Sequence, residues 1–312
     1  MVHCSGKDGK EDACLSDGGI IKTKMTLVNA FINPFDNLFM LNAFIDAFTS
    51  GYGKLRGISP KDNFYLYLSY AEGLLNYLFF RKRFITISLF LRKDIFVVDG
   101  NGIKYYVKAK SDCLALLAGT AKPWTKRWFK PKKGEMVIDA GSNIGRFSLY
   151  AASMGAYAIG VEPNPSVYEI LKKNIELNGF ANAKALNLGL GDTEGEMELY
   201  VPPGYTGSSS FNAQWETRFE LNKIKVKVVP LDSETRELPS IDWLLIDVEG
   251  FEEKVLKGAG DVLKKTKRII IEISHENRER VLELLGSNGF KVMDEGSIEE
   301  KAQYFYLEGT WW

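Results

Sequence analysis

The chain has little of what small secreted folds and metal centres are built from. Its 312 residues include only three cysteines and two histidines. Cys4, Cys14 and Cys113 share no close ligand spacing and form no even disulfide framework, which excludes a disulfide scaffold and fits a reducing, cytoplasmic compartment. Long hydrophobic runs are also missing. No stretch of 18 residues is free of charge, and the most apolar candidate, Thr26 to Phe48, is interrupted by Pro34, Asp36 and Asp46, so no transmembrane segment is expected. The N-terminus lacks the charged-then-apolar layout of a signal peptide. Net charge is absent too, with 40 basic against 40 acidic residues, which argues against a generic polyanion binder.

The zero is uneven along the chain. Residues 1–130 carry 19 Lys/Arg against 11 Asp/Glu, and residues 131–312 carry 21 against 29. The basic excess gathers at Arg81-Lys-Arg83 and between Lys122 and Lys133, where Trp124, Trp128 and Phe129 interleave with cations. That run reads either as a linker whose aromatics pack on the fold or as a track for phosphates or an anionic surface.

Within 45% hydrophobic residues, residues 135–165 carry the most information. A short apolar strand from Met136 to Ile138 ends on Asp139. A loop with Gly141 and Gly145 then opens a helix with Ile144, Phe147, Leu149 and Ala151 as its apolar positions. A second strand ends on Glu162, where doubly wound folds place the carboxylate that holds ribose hydroxyls. The glycine spacing excludes a dinucleotide. Gly-x-Gly-x-x-Gly brings backbone against a pyrophosphate, whereas this loop reads Asp139-x-Gly141-x-x-x-Gly145, with Ser142 and Asn143 between. An acid ahead of the glycines favours a ligand with cationic and donor groups and no phosphate, which is the chemistry of S-adenosylmethionine.

Alternation continues beyond. A helix over Pro165 to Leu177 stops at Asn178-Gly179, followed by strands at Ala183 to Leu188, Ile241 to Ile246 and Arg268 to Ile273. Phe290 to Met293 and Ala302 to Leu307 close the sheet as an antiparallel pair. Strands at Glu196 to Val201 and Lys223 to Val229 flank a loop, Pro202 to Ser210, placed to act as a lid. Upstream, Ser59-Pro60 opens a helix rich in aromatics, and Asp99-Gly-Asn-Gly102 turns a hairpin between Ile95 to Val98 and Ile103 to Val107. The expected organisation is a mobile tail over 1–24, an α/β extension or cap over 25–130, and a nucleoside-binding domain over 131–312. A cap of this kind would be removable with cofactor binding left intact.

The chain resembles the FkbM-type S-adenosylmethionine-dependent methyltransferases. The matching pieces are Val137-Ile-Asp-Ala-Gly-Ser-Asn-Ile-Gly145, Glu162-Pro-Asn-Pro165, Gly191-Asp192, Ser208-Ser-Ser210, Val229-Pro-Leu-Asp232 and Ile241-Asp-Trp-Leu-Leu-Ile-Asp-Val-Glu-Gly-Phe-Glu252. One departure is Leu245, where the family often has lysine. The resemblance implies a doubly wound, mostly parallel seven-stranded Rossmann-like methyltransferase sheet with S-adenosyl-L-methionine as cofactor. It implies that Asp139, Gly141, Ser142, Asn143 and Gly145 hold the methionine end, Glu162 and Pro163 the ribose, and Asp192 the adenine. It further implies O-methylation of a sugar, glycan or related small molecule.

Catalytic candidates lie at the carboxyl ends of the later strands. Asp247, Glu249 and His275 can each take a hydroxyl proton or clamp an acceptor. The carboxylates do not make a distinctive metal site. An RNA methyltransferase using the basic 122–133 segment, or a non-catalytic nucleoside-binding protein, remain the rival readings.

Overall fold

The computed structural model describes residues 55–80, 91–119, 127–204, 206–215, 220–298 and 301–310. The expected tail, the Thr26 to Phe48 stretch, Arg81-Lys-Arg83 and Lys122 to Lys126 lie outside the described residues. Among the described residues, no helix is long and apolar enough to cross a membrane.

The central strands form where apolar residues run without alternation, the pattern of a parallel strand covered on both faces. β4 (Met136–Ala140), β5 (Tyr157–Val161), β6 (Ala183–Leu186), β10 (Ile241–Ile246), β11 (Thr266–Ser274), β12 (Phe290–Ile298) and β13 (Ala302–Gly309) make one seven-stranded sheet. Its order is β12-β13-β11-β10-β4-β5-β6, and β13 alone runs against its neighbours. The chain builds outward from β4 to β6, then returns across β4 to β10 and β11. The crevice therefore opens where β4 and β10 diverge, at their carboxyl ends.

Helices α3 (Arg146–Ser153) and α4 (Pro165–Asn178) make the first crossovers. Asn164 caps α4 by accepting from the Ser166 amide, Pro165 occupies the first turn, and Gly179 ends the helix in the left-handed region. Helices α6 (Glu252–Lys257), α7 (Gly260–Lys264) and α8 (Arg278–Ser287) connect the later strands, after the short α5 (Leu231–Glu234). The expected third strand is shorter than its pattern suggested, because the chain leaves the sheet after Leu186 and Gly189–Leu190 becomes β7 of a second sheet. That sheet has the order β7-β9-β8, with β8 (Gly195–Val201) and β9 (Asn222–Val229) antiparallel.

The upstream segment forms β1 (Arg56–Gly57), α1 (Pro60–Phe80), the hairpin β2 (Ile95–Val98) and β3 (Lys104–Val107), and α2 (Cys113–Gly119). Ser59 and Asp62 cap α1 reciprocally, at 3.0 and 3.1 Å. Leu66, Ile95, Val97 and Tyr105 share one buried cluster with Ile144 and Leu149 at α3 and Val167 and Ile170 of α4. Asn174 and Asn178 of α4 meet the β3 backbone edge, accepting from the Tyr106 and Lys104 amides at 2.7 and 2.8 Å.

Candidate active site

Asp139 lies one residue inside β4 rather than at its end, paired with Leu245 and Gly160. Its buried carboxylate accepts from Ser142 Oγ at 2.8 Å, the Ser148 amide at 3.0 Å and Ser148 Oγ at 2.6 Å. Burial pushes its pKa up to about 6 against the pull of those bonds. Asp139 thus ties the glycine loop to the first turn of α3 and does not line the crevice. Gly141 is required by space and by backbone. Its φ is +81°, and a Cβ there would sit 1.8 Å from the Asp247 carbonyl oxygen. Gly145 caps α3 at φ +92° and stands behind the loop, not in the crevice.

The loop presents Asn143 in the left-handed region, at φ +51°. Its amide donates to Glu162 at 3.0 Å, and the Asn164 amide donates to the other Glu162 oxygen at 2.9 Å. Burial pushes the Glu162 pKa up to about 7, partly offset by these two amides. Asn143 Oδ1 is buried and, among the described residues, meets no donor. A buried acceptor left in this way is costly unless a ligand supplies the hydrogen bond.

Gly141, Ser142, Asn143, Glu162 and Pro163 line a cavity of about 350 Å³. Asp247, Glu249, Glu272 and Tyr304 line the same cavity, as do Thr206 to Ser209. Asp247 follows β10, with its amide on the Ala140 carbonyl at 2.9 Å and its carboxylate accepting from the Tyr304 phenol at 2.8 Å. Glu249 sits at φ +52° in a turn held by buried Glu252, which accepts from the Gly250 amide at 2.7 Å, Asn277 Nδ2 at 2.9 Å and Ser274 Oγ at 3.0 Å. The Trp215 indole donates to Glu249, and its ring leaves no room for a side chain at Gly250, where a Cβ would lie 2.7 Å away. One oxygen from each of Asp247, Glu249 and Glu272 falls within a 4.8 Å group. Such a group can accept hydrogen bonds from several hydroxyls, and its spacing would also admit a divalent cation. Burial, then the nearby carboxylates, hold the Tyr304 phenol well above its usual range.

Of the site residues expected from sequence, two more fall outside the cavity. Asp192, in the turn between β7 and β8, pairs with Lys254 at 2.8 Å and does not line the cavity. His275 is exposed, because β11 runs two residues past Glu272 and carries the imidazole beyond the crevice. Trp215, Lys301 and Tyr304 line the cavity and carry no signal in sequence. Tyr304 is one of three aromatics in a row on β13, and only the antiparallel register opposite Glu272 selects it.

Residues 139–292 match the Methyltransferase FkbM domain. Methyltransferase sdnD of Sordaria araneosa is 29% identical over 190 residues, 50% of this chain and 73% of that protein. Hexuronic acid methyltransferase AglP of Haloferax volcanii is 26% identical over 144 residues, 46% of this chain and 57% of that protein. Among solved structures, precorrin-6y C5,15-methyltransferase of Geobacter metallireducens overlaps 61% of this chain and 87% of its own, at 10% identity and a TM-score of 0.41. The residues present fit S-adenosylmethionine. Asn143 Oδ1 would offer an acceptor to its ammonium group, and Glu162 would offer carboxylate oxygens to its ribose. The β4–β10 crevice, its donor-seeking lining and the matched domain together place this chain in the FkbM family of S-adenosylmethionine-dependent methyltransferases.

Proposed function

We propose that this protein methylates a hydroxyl oxygen on a sugar, glycan or related small molecule. The observation that carries the reading is the trio Asp247, Glu249 and Glu272, which lines one cavity with Asn143 and Glu162. Carboxylates in this number suit a polyhydroxylated acceptor, since each oxygen can take a hydroxyl hydrogen bond. A hexuronic acid is the acceptor named for one relative, which supports a sugar here.

The bound cofactor supplies a methyl group on a sulfonium that leaves readily. The protein must align an oxygen in line with it and remove that oxygen's proton. Glu162 and Asn143 hold the donor. Tyr304 fixes one oxygen of Asp247, leaving the other for the acceptor. With the methyl group supplied by the cofactor, the hydroxyl proton would pass to Asp247, and Glu249 and Glu272 would clamp neighbouring hydroxyls. His275 has no part at the reacting oxygen in this scheme.

The RNA reading finds less support. In the basic segment, Trp128 and Phe129 are buried, with Trp128 stacked on Tyr306 and its indole bound to Asp294 at 2.8 Å, so neither is offered to a base. Labelled methyl transfer into fractionated extract tests the proposal. Label is expected in glycan or small-molecule pools as a base-stable ether. Label in RNA would replace the hydroxyl-sugar reading, and no incorporation anywhere would leave a nucleoside-binding protein.

A further inference from the structure

The loop between β8 and β9 anchors Phe211 against Phe251 and Trp215 against Gly250, whereas its Thr206 to Ser209 stretch is rich in glycine and serine and has no apolar side chain to hold it over the cavity. That stretch is held by a side chain outside the matched domain. Asp112, immediately before α2, is 4% exposed. Its Oδ1 accepts from the Thr206 amide and from Thr206 Oγ1, both at 2.7 Å, and its Oδ2 accepts from the Gly207 amide at 3.3 Å. In return the Asp112 amide donates to the Gly204 carbonyl at 3.2 Å. A buried carboxylate is tolerated only where donors replace water, so the loop and the acid fix each other.

Gly207 shows where the latched loop rests. A Cβ at this position would lie 3.2 Å from Leu116 Cδ2 of α2 and 3.3 Å from Asn143 Nδ2 of the glycine loop. The loop is therefore wedged between the upstream segment and the residue whose buried carbonyl oxygen awaits a donor. Two further bonds hold it. Asn164 Nδ2 donates to Ser209 Oγ at 3.2 Å, two residues from Glu162, and Ser210 Oγ donates to the Glu249 carbonyl at 2.6 Å. A ligand bound against Asn143 and Glu162 has this loop as its neighbour in the cavity.

We propose that Asp112 is a positioning residue that latches Thr206 and Gly207 over the cofactor end of the cavity, so that the segment before the methyltransferase domain sets the rate of cofactor exchange. The inference concerns the cofactor alone and stands whatever the acceptor proves to be. Thr206→Val removes one of the three donors and keeps the side chain's shape. Thr206→Ser keeps the hydroxyl. Asp112→Asn replaces one acceptor oxygen by a donor that faces an amide or hydroxyl hydrogen.

The test measures S-adenosylhomocysteine release by displacement, and amide hydrogen exchange over residues 206–210, in the full chain. Thr206→Val and Asp112→Asn are expected to release ligand about tenfold faster and to lose protection in 206–210, while β4 and β10 keep theirs. Thr206→Ser is expected to restore both. Parental release in Thr206→Val would overturn the proposal, as would equal speeding by Thr206→Ser. A uniform loss of protection that includes β4 and β10 would also overturn it, since the acid would then serve general stability. Should Asp112→Asn fail to fold, the Thr206 pair decides alone.

Discussion

Glu162 carries the clearest titration at the level of single residues. Burial holds its pKa near 7, above the ordinary 4.5, while the Asn143 and Asn164 amides pull the other way. The protonated form is thus favoured in the empty fold. Its contribution to stability is fully present below about pH 4.5 and is lost as pH rises through about 7. Cofactor binding runs in the opposite sense, because ribose hydroxyls need an ionised acceptor. Affinity for S-adenosylmethionine should therefore rise from pH 5.5 to pH 8 and level off, and Glu162→Gln should flatten the curve at its weak end. Calorimetric titration at several pH values checks this, and a flat parental curve would remove the ribose assignment. In the same cavity, Asp247→Asn keeps shape and takes away the base. Turnover should fall about 100-fold with cofactor affinity nearly unchanged, and parental turnover on the true acceptor would move the chemistry elsewhere.

Among the elements, the glycine loop and the strand before it act as one unit. Asp139 gathers Ser142 and Ser148 onto a single oxygen, so Asp139→Ala removes the acceptor shared by three buried donors and leaves the two hydroxyls, 2.8 Å apart, only each other. Stability should drop by about 2–3 kcal/mol, and cofactor affinity should fall with it, because Asn143 is carried by the same turn. Thermal unfolding with and without S-adenosylhomocysteine separates the two losses. Gly141→Ala should be worse, since its Cβ would meet the Asp247 carbonyl and φ +81° is unfavourable for any other residue. The β-α-β unit and strand order were legible because period, glycine spacing and strand-end acids are local signals. Asp139, Asp192 and His275 show the limit of that reading. A strand one residue longer buries Asp139, a lysine 62 positions away captures Asp192, and β11, which continues to Ser274, carries His275 beyond the crevice. Tyr304 entered the site through a strand register 57 residues from Asp247, which no local pattern encodes.

On the scale of the whole molecule, the upstream segment is bound into the catalytic fold more tightly than its sequence position suggests. Composition and the change to strand-helix alternation near residue 131 point to a removable cap. The packing points the other way. Leu66, Tyr70, Ile95, Val97 and Tyr105 close over Ile144, Leu149, Val167 and Ile170, which would otherwise face water. Asn174 would lose the Tyr106 amide, and Asn178 would lose its paired bonds to Lys104 at 2.8 and 2.7 Å. Exposing four large aliphatic side chains forfeits roughly 1.5–3 kcal/mol each, a sum comparable to the whole stability of a domain. Deletion of residues 1–130 should therefore give a chain that aggregates and fails to bind S-adenosylhomocysteine, rather than one that binds cofactor and lacks transfer. Deletion of residues 1–46 is the informative partner. It leaves the Leu66 to Tyr105 cluster and Asp112 in place, so this shorter cut should keep cofactor affinity within about threefold and leave the 206–210 amides protected. If the long deletion instead folds and binds at parental affinity, Ile144 and Leu149 do not depend on the upstream cluster, and the Asp112 latch would have to be sought in exchange rates alone.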